Sequence, residues 1–158
     1  MADATFADGG DRPLRLKALD VEDLTVLSSL TQDAVFPATE MRWDRKARRF
    51  ALLLNRFRWE DLPAAKRLGR DVERVRAVLA FDDVTKVTSS GLDRNDPDLV
   101  LSLLSISWQP SEDGAGRFEL TLAGDGTIAL DAECINITLQ DVTRPYIAPS
   151  RKAPNHPE

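Results

Sequence analysis

Apolar and polar residues alternate along most of the chain, which is the pattern of β-strands with one buried face. Turn residues separate these segments, and the clearest turn is Gly124-Asp125-Gly126. A run that is apolar or hydroxylic throughout, residues 99–108, is typical of a strand buried on both faces. The pattern predicts strands over residues 14–18, 41–43, 50–57, 75–81, 84–88, 99–108, 118–122 and 128–132.

Helical periodicity is strong in one segment, residues 21–33. Its apolar residues recur at three- or four-residue spacing, Asp20 is a good N-cap, and Glu22 and Asp23 would stabilise the first turn. Residues 58–71 contain Pro63, Gly69 and many charges, which is compatible with a long loop or with one short helical turn at 64–68.

Beyond Cys134 the alternation continues but is displaced by one residue. A bulge near Glu133 and Cys134 within one long bent strand explains this best, and a helix over 132–141 is the less favoured alternative. The predicted fold class is α+β: mainly antiparallel β-sheet, curled or barrel-like, with one principal amphipathic helix near the N-terminus.

The ends of the chain differ from its middle. Residues 1–13 are acidic with little to bury and predict a disordered arm, whereas 144–158 carry four prolines and predict a tail, pinned at its start by Tyr146 and Ile147. Between them, residues 14–143 predict a single globular domain. An acidic N-terminus and the lack of a long apolar stretch favour a cytoplasmic protein that does not enter a membrane.

The chain of 158 residues has one cysteine and one histidine, which excludes most catalytic mechanisms and metal sites that depend on these residues. An internal disulfide or a thiolate zinc site needs more cysteines, and His156 lies in the proline-rich tail. Cys134 is expected to be a buried thiol with a raised pKa. We therefore expect no cofactor, no metal and no catalytic residue, and favour a protein that is not an enzyme.

Charge is segregated along the sequence. Residues 42–76 carry twelve Lys and Arg against five acids, a net charge of +7, while the whole chain has a net charge of −5. With the tryptophans of the segment, this pattern is compatible with an anion or RNA site. The favoured alternative is that the arginines pair with the protein's own acids and the tryptophans lie in the core. The candidate binding residues are Arg42, Trp43, Arg49, Asn55, Arg56, Arg58, Trp59, Arg70 and Arg74.

Two of these candidates are adjacent on a predicted strand. Asn55 is expected in the core, where it needs hydrogen-bond partners, and Arg56 on the opposite face at the rim of the basic segment.

Four segments resemble a bacterial family catalogued as domain of unknown function 2948. They are residues 16–20, 32–35, 49–60 (RFALLLNRFRWE) and 120–141 (LTLAGDGTIALDAECINITLQD). The most specific parts are the runs Asn55 to Trp59 and Glu133 to Ile135. The resemblance implies a small stand-alone cytoplasmic protein, and it assigns no activity, cofactor or catalytic residue.

Two functional hypotheses are favoured over a third, an enzyme that uses carboxylates and arginines alone, because no motif supports the third. The first is a non-catalytic interaction or scaffold module that binds a protein partner or a second copy of itself, because an exposed sheet edge favours a symmetric dimer. The alternative is a binder of RNA or a phosphorylated small molecule through residues 42–76.

Overall fold

The computed structural model describes residues 13–93 and 95–147. The predicted arm up to residue 12 and the tail from residue 148, with His156, lie outside the described residues. The described part has two α-helices, α1 (Val21–Leu30) and α2 (Leu62–Leu68). Its strands are β1 (Arg15–Ala18), β2 (Val35–Pro37), β3 (Met41–Asp44), β4 (Arg49–Phe57), β5 (Glu73–Phe81), β6 (Val84–Ser90), β7 (Val100–Pro110), β8 (Gly116–Leu122), β9 (Thr127–Ala132), β10 (Ile137–Asp141) and β11 (Tyr146–Ile147).

All the strands belong to one antiparallel sheet in the order β1-β10-β5-β4-β2-β7-β8-β9-β6. The short strands β3 and β11 lie beside this path and pair with β4 and β5. The predicted class of a curled, mainly antiparallel α+β fold is confirmed, although the sheet is not closed into a barrel.

The sheet curls so that strands from its two halves share one core. Phe81 of β5 packs against Phe118 of β8 at a ring distance of 5.1 Å, and also against Phe50 of β4 at 6.4 Å. Leu24 and Leu27 of α1 are buried in the same core. Burying these side chains is the main favourable contribution to folding.

Helix α1 begins as predicted and ends earlier. The side chain of Asp20 accepts a hydrogen bond from the backbone N–H of Asp23 at 2.8 Å, which caps the helix. The helix stops at Leu30 because the next residues pair with β7: the N–H of Asp33 donates to the carbonyl of Leu103 at 2.7 Å. Asp33 has a positive φ of 64°, which a helix cannot accommodate.

Three other expectations differ in detail from the structure. Residues 127–141 form two strands, β9 and β10, rather than one bent strand. The two strands have different partners, since β9 pairs with β8 and β10 pairs with β5, and residues 133–136 connect them. Strand β7 is not buried on both faces: Ser105 and Ser107 are exposed. Residues 59–68 form a 3-10 turn followed by α2, which is longer than the helical turn considered for 64–68.

Candidate functional site

The candidate binding residues are divided between the two ends of β4. Arg42, Trp43 and Arg49 lie at the start of the β3–β4 hairpin, where Trp43 pairs with Phe50. Asn55, Arg56, Arg58, Trp59, Arg70 and Arg74 lie around the other end. The nine residues of β4 span about 26 Å, so the basic segment does not form one continuous patch.

Arg56 is fully buried and all its N–H groups are paired. It forms two-pronged hydrogen bonds with Glu60, at 2.8 and 2.7 Å, and with Asp141, at 3.1 and 3.0 Å. The remaining N–H donates to the carbonyl of Phe57 at 3.1 Å. Asp141 also accepts the backbone N–H of Leu14 at 2.9 Å. The cluster therefore ties together β4, the 3-10 turn, β10 and the start of the domain.

The contacts within this cluster stabilise the ionised forms of Arg56 and Glu60 despite their burial. Burial by itself lowers the pKa of Arg56, but the hydrogen bonds and charges of Glu60 and Asp141 more than offset this and the pKa is raised. Burial would raise the pKa of Glu60, yet its contacts with Arg56 lower it. Arg56 and Glu60 are thus both ionised at neutral pH.

A second group of ion pairs lies beside the first. Arg58 is buried and donates to Glu73 at 2.7 Å. Arg70 donates to Asp61 at 2.6 and 3.0 Å, and the hydrogen bond from Arg70 lowers the pKa of Asp61. At the far end of β4, Arg49 pairs with Asp82 at 2.8 Å. The structure therefore pairs much of the basic segment with the protein's own acids.

Asn55 and Arg56 occupy the reverse of their expected faces. Arg56 continues the buried series Phe50, Leu52 and Leu54, since residues two apart share a face of the sheet, and Asn55 is half-buried on the other face. There the side-chain oxygen of Asn55 accepts a hydrogen bond from Arg74 at 3.1 Å, and its amide donates to the Tyr146 hydroxyl. Sequence reasoning misplaced Arg56 because an arginine rarely continues a buried series.

Arg74 and Trp59 complete this end of the sheet. The guanidinium of Arg74 lies 3.8 Å from the ring centre of Phe57, and partial burial lowers its pKa. Trp59 packs against Phe57 and donates from its indole N–H to the carbonyl of Gln32 at 2.9 Å. Both side chains are held by contacts within the domain.

A seam, which is an opening between β3 and the edge strand β6, remains in the curled sheet. Near its closed end, the N–H of Val84 in β6 donates to the carbonyl of Arg48, just before β4, at 2.9 Å. Beyond this contact, no strand pairing joins β3 to β6 in the described residues. Within the described residues, β6 pairs with β9 on one side only, so residues 86–90 form a free sheet edge.

A pocket of about 330 Å³ lies where the seam is open. Its apolar wall comes from both sides of the seam and from the 91–99 loop, and consists of Met41, Trp43, Phe50, Val87, Leu92, Leu99 and Ile128. Asp93 and Asp96 of the loop also line it. Trp43, a candidate for stacking on bases, is therefore part of an apolar wall. The pocket could not be predicted from local sequence patterns because its lining comes from distant segments.

Cys134 is exposed, which contradicts the expectation of a buried thiol. It lies in the segment between β9 and β10, where its thiol donates to the Asp83 carboxylate at 3.4 Å. Partial burial of the sulfur and this hydrogen bond raise the pKa of Cys134, so the direction of the expected shift is correct.

We expect Asp83→Asn to speed the alkylation of Cys134 by iodoacetamide at about pH 8, because the thiolate would no longer face a carboxylate. Asparagine tolerates the positive φ of 60° at this position. Asp82→Asn is the matched control, since Asp82 pairs with Arg49 instead. Equal alkylation rates in Asp83→Asn and the unaltered protein would contradict this account of the thiol.

Two features are absent from the described residues: a cluster of metal-ligating side chains and a membrane-spanning helix. Within residues 13–93 and 95–147, no three His, Cys, Asp or Glu side chains converge in a way that could hold a metal ion. No helix in this part of the chain is long and apolar enough to cross a membrane.

The fold and its surfaces define a small α+β domain built on one open antiparallel sheet, with buried arginine ion pairs and an apolar pocket at the seam. The chain belongs to the family described as protein of unknown function, DUF2948, whose model matches residues 14–156. No curated protein and no solved structure matches the chain.

Proposed function

We propose that this protein is a non-catalytic interaction module that self-associates through the free edge of β6. The observation that carries the proposal is the unpaired edge of β6. This strand has seven residues, and within the described residues its segment 86–90 pairs on one side only. An unpaired strand edge presents backbone donors and acceptors that a second strand can bind.

Three other edges, those of β1, β3 and β11, carry more protection against pairing. Strand β1 has four residues and exposes Arg15 and Lys17, and β3 also has four and exposes Arg42 and Asp44. Strand β11 has two residues and follows Pro145. Short strands, charges and prolines are devices that prevent edge pairing. The β6 edge has one charge, Lys86, among threonine, serine and valine residues that favour strands.

The β6 edge is also compatible with a copy of itself. In a two-fold antiparallel pair centred on Thr88, the midpoint of residues 86–90, each Thr88 lies opposite its equivalent. Lys86 then lies opposite Ser90 of the second copy, and Val87 opposite Ser89. No like charges face each other across the pair, which favours this register.

Sedimentation equilibrium over a range of protein concentrations tests the proposal. We expect a monomer–dimer equilibrium that Thr88→Lys weakens by about fivefold, because two lysines would then face each other at the two-fold axis. Gln140→Lys is the matched control, since it adds the same charge to an exposed position of β10, where β1 and β5 pair with the strand on both sides. A strictly monomeric protein, or equal effects of both lysines, would refute self-association through β6.

The alternative function, binding of RNA or a phosphorylated small molecule, rests on the exposed cations of the β3–β4 hairpin, Arg42, Arg45 and Lys46. The buried pairs of Arg56 and Arg58 weigh against a larger site. The ratio of absorbance at 260 and 280 nm distinguishes the two functions when the protein is purified with and without a high-salt wash. We expect no change, whereas a ratio that falls on washing would favour the alternative.

A further inference from the structure

We propose that the seam pocket, defined by the lining residues given above, binds a small amphipathic amine: a molecule with a flat apolar body and a protonated amino group. This inference goes beyond self-association. Val87 and Ser89 of β6 also line the pocket, but the acidic residues that would bind the amino group lie outside β6. The pocket volume of about 330 Å³ lies at the lower end of the range of small-molecule sites.

The walls select the body of the ligand. Trp43 and Phe50 supply aromatic surface, and Met41 supplies a flexible thioether that adapts to irregular shapes. Leu92, Leu99 and Ile128 close the apolar surface. An aromatic ring system placed here would remove apolar area from water on several sides, which is the main source of affinity in such sites.

The charges of the pocket select the head of the ligand. Asp93 and Asp96 are the ionisable residues in the described lining, and both are acidic. One oxygen of Asp93 accepts the N–H of Asn95 at 3.0 Å, and one oxygen of Asp96 accepts the N–H of Asp98 at 2.9 Å. These bonds fix the carboxylates in the loop, and each carboxylate has a second oxygen that an ammonium group can use.

The position of the pocket allows a ligand to enter. Two backbone hydrogen bonds lie at the ends of the pocket. The N–H of Val84 donates to the Arg48 carbonyl at one end of the seam, and the N–H of Ala38 donates to the Leu99 carbonyl at 2.9 Å beside the 91–99 loop. Between these contacts the exposed residues Asp93, Asp96 and Pro97 line the pocket. The amine would therefore face the loop and the apolar body would face the core.

Isothermal titration calorimetry with two matched probes tests this proposal. The probes are 2-naphthylethylamine and 2-naphthylacetate, which share the ring system and differ in the sign of their charge. We expect the amine to bind at least about tenfold more tightly than the acid at neutral pH and low salt. In the double variant Asp93→Asn, Asp96→Asn the difference should fall to less than about threefold.

Two further variants locate the binding. Ser89 of β6 lines the pocket, so Ser89→Phe should fill it and abolish binding of the amine. Ser107→Phe, at an exposed position of β7 outside the pocket lining, should leave amine binding unchanged. The proposal is overturned if the amine fails to bind, if the acid binds as tightly, or if Ser89→Phe has no effect. Thr88→Lys should weaken self-association without changing amine binding, so this proposal and the proposed function can fail separately.

Discussion

Replacing Arg56 with alanine is expected to lower the free energy of unfolding by about 3–5 kcal/mol. The substitution removes the cation that pairs with both Glu60 and Asp141, and Asp141 is almost fully buried. An unpaired buried carboxylate must either lose its hydration without compensation or take up a proton. The loss should therefore far exceed the average effect of a surface substitution.

Urea unfolding of Arg56→Ala measures this loss, and Arg70→Ala is its control. Arg70 also pairs with a carboxylate, Asp61, but its side chain is 40% exposed, so its removal should cost much less than the removal of Arg56. A second variant, Arg56→Met combined with Glu60→Gln and Asp141→Asn, should recover part of the stability because it removes the unpaired charges. Equal losses in Arg56→Ala and Arg70→Ala would contradict a structural role for the buried cluster.

Acid is expected to destabilise the protein through the same cluster. The contacts with Arg56 lower the pKa of Glu60, so the folded state binds its proton less readily than the unfolded state does. The resulting stability is complete above the unfolded pKa of about 4.5 and is lost as the pH falls through the lower folded value. The pKa values of Asp61 and Asp83 are also lowered, and their contributions are lost in the same direction.

The urea midpoint, measured at a series of pH values, tests this pH dependence. We expect it to be nearly constant above about pH 5 and to fall steadily below about pH 4. Glu60→Gln should be less stable than the unaltered protein at neutral pH, with a shallower fall in acid because one of the linked carboxylates is gone. If Glu60→Gln has the same acid profile as the unaltered protein, Glu60 does not contribute to the pH dependence.

Local pattern was a good guide to the elements of the fold. The alternation of Phe50, Leu52 and Leu54 predicted β4, and Gly124 to Gly126 predicted the β8–β9 hairpin, because both signals depend on neighbouring residues. The sequence predicted the N-cap of α1 at Asp20 for the same reason. These features need no knowledge of which strands are adjacent.

Long-range pairing explains what the sequence did not predict. Arg56 could be recognised as buried only through Asp141, which lies 85 residues away and accepts its hydrogen bonds. Helix α1 ends where it does because Asp33 forms a backbone hydrogen bond with Leu103. The pocket exists because β3 and β6, which are distant in sequence, lie on either side of one opening. The exposure of Cys134 depends on the connection between two strands with different partners.

Sedimentation equilibrium of a charge-swapped pair tests the central claim, self-association through β6, most directly. Thr88→Lys and Thr88→Glu should each weaken the dimer, because each places like charges opposite each other at the two-fold axis. A mixture of the two variants should associate more tightly than either variant alone, since lysine then faces glutamate. A mixture whose average mass equals the mean of the two separate variants would contradict pairing of β6 with itself.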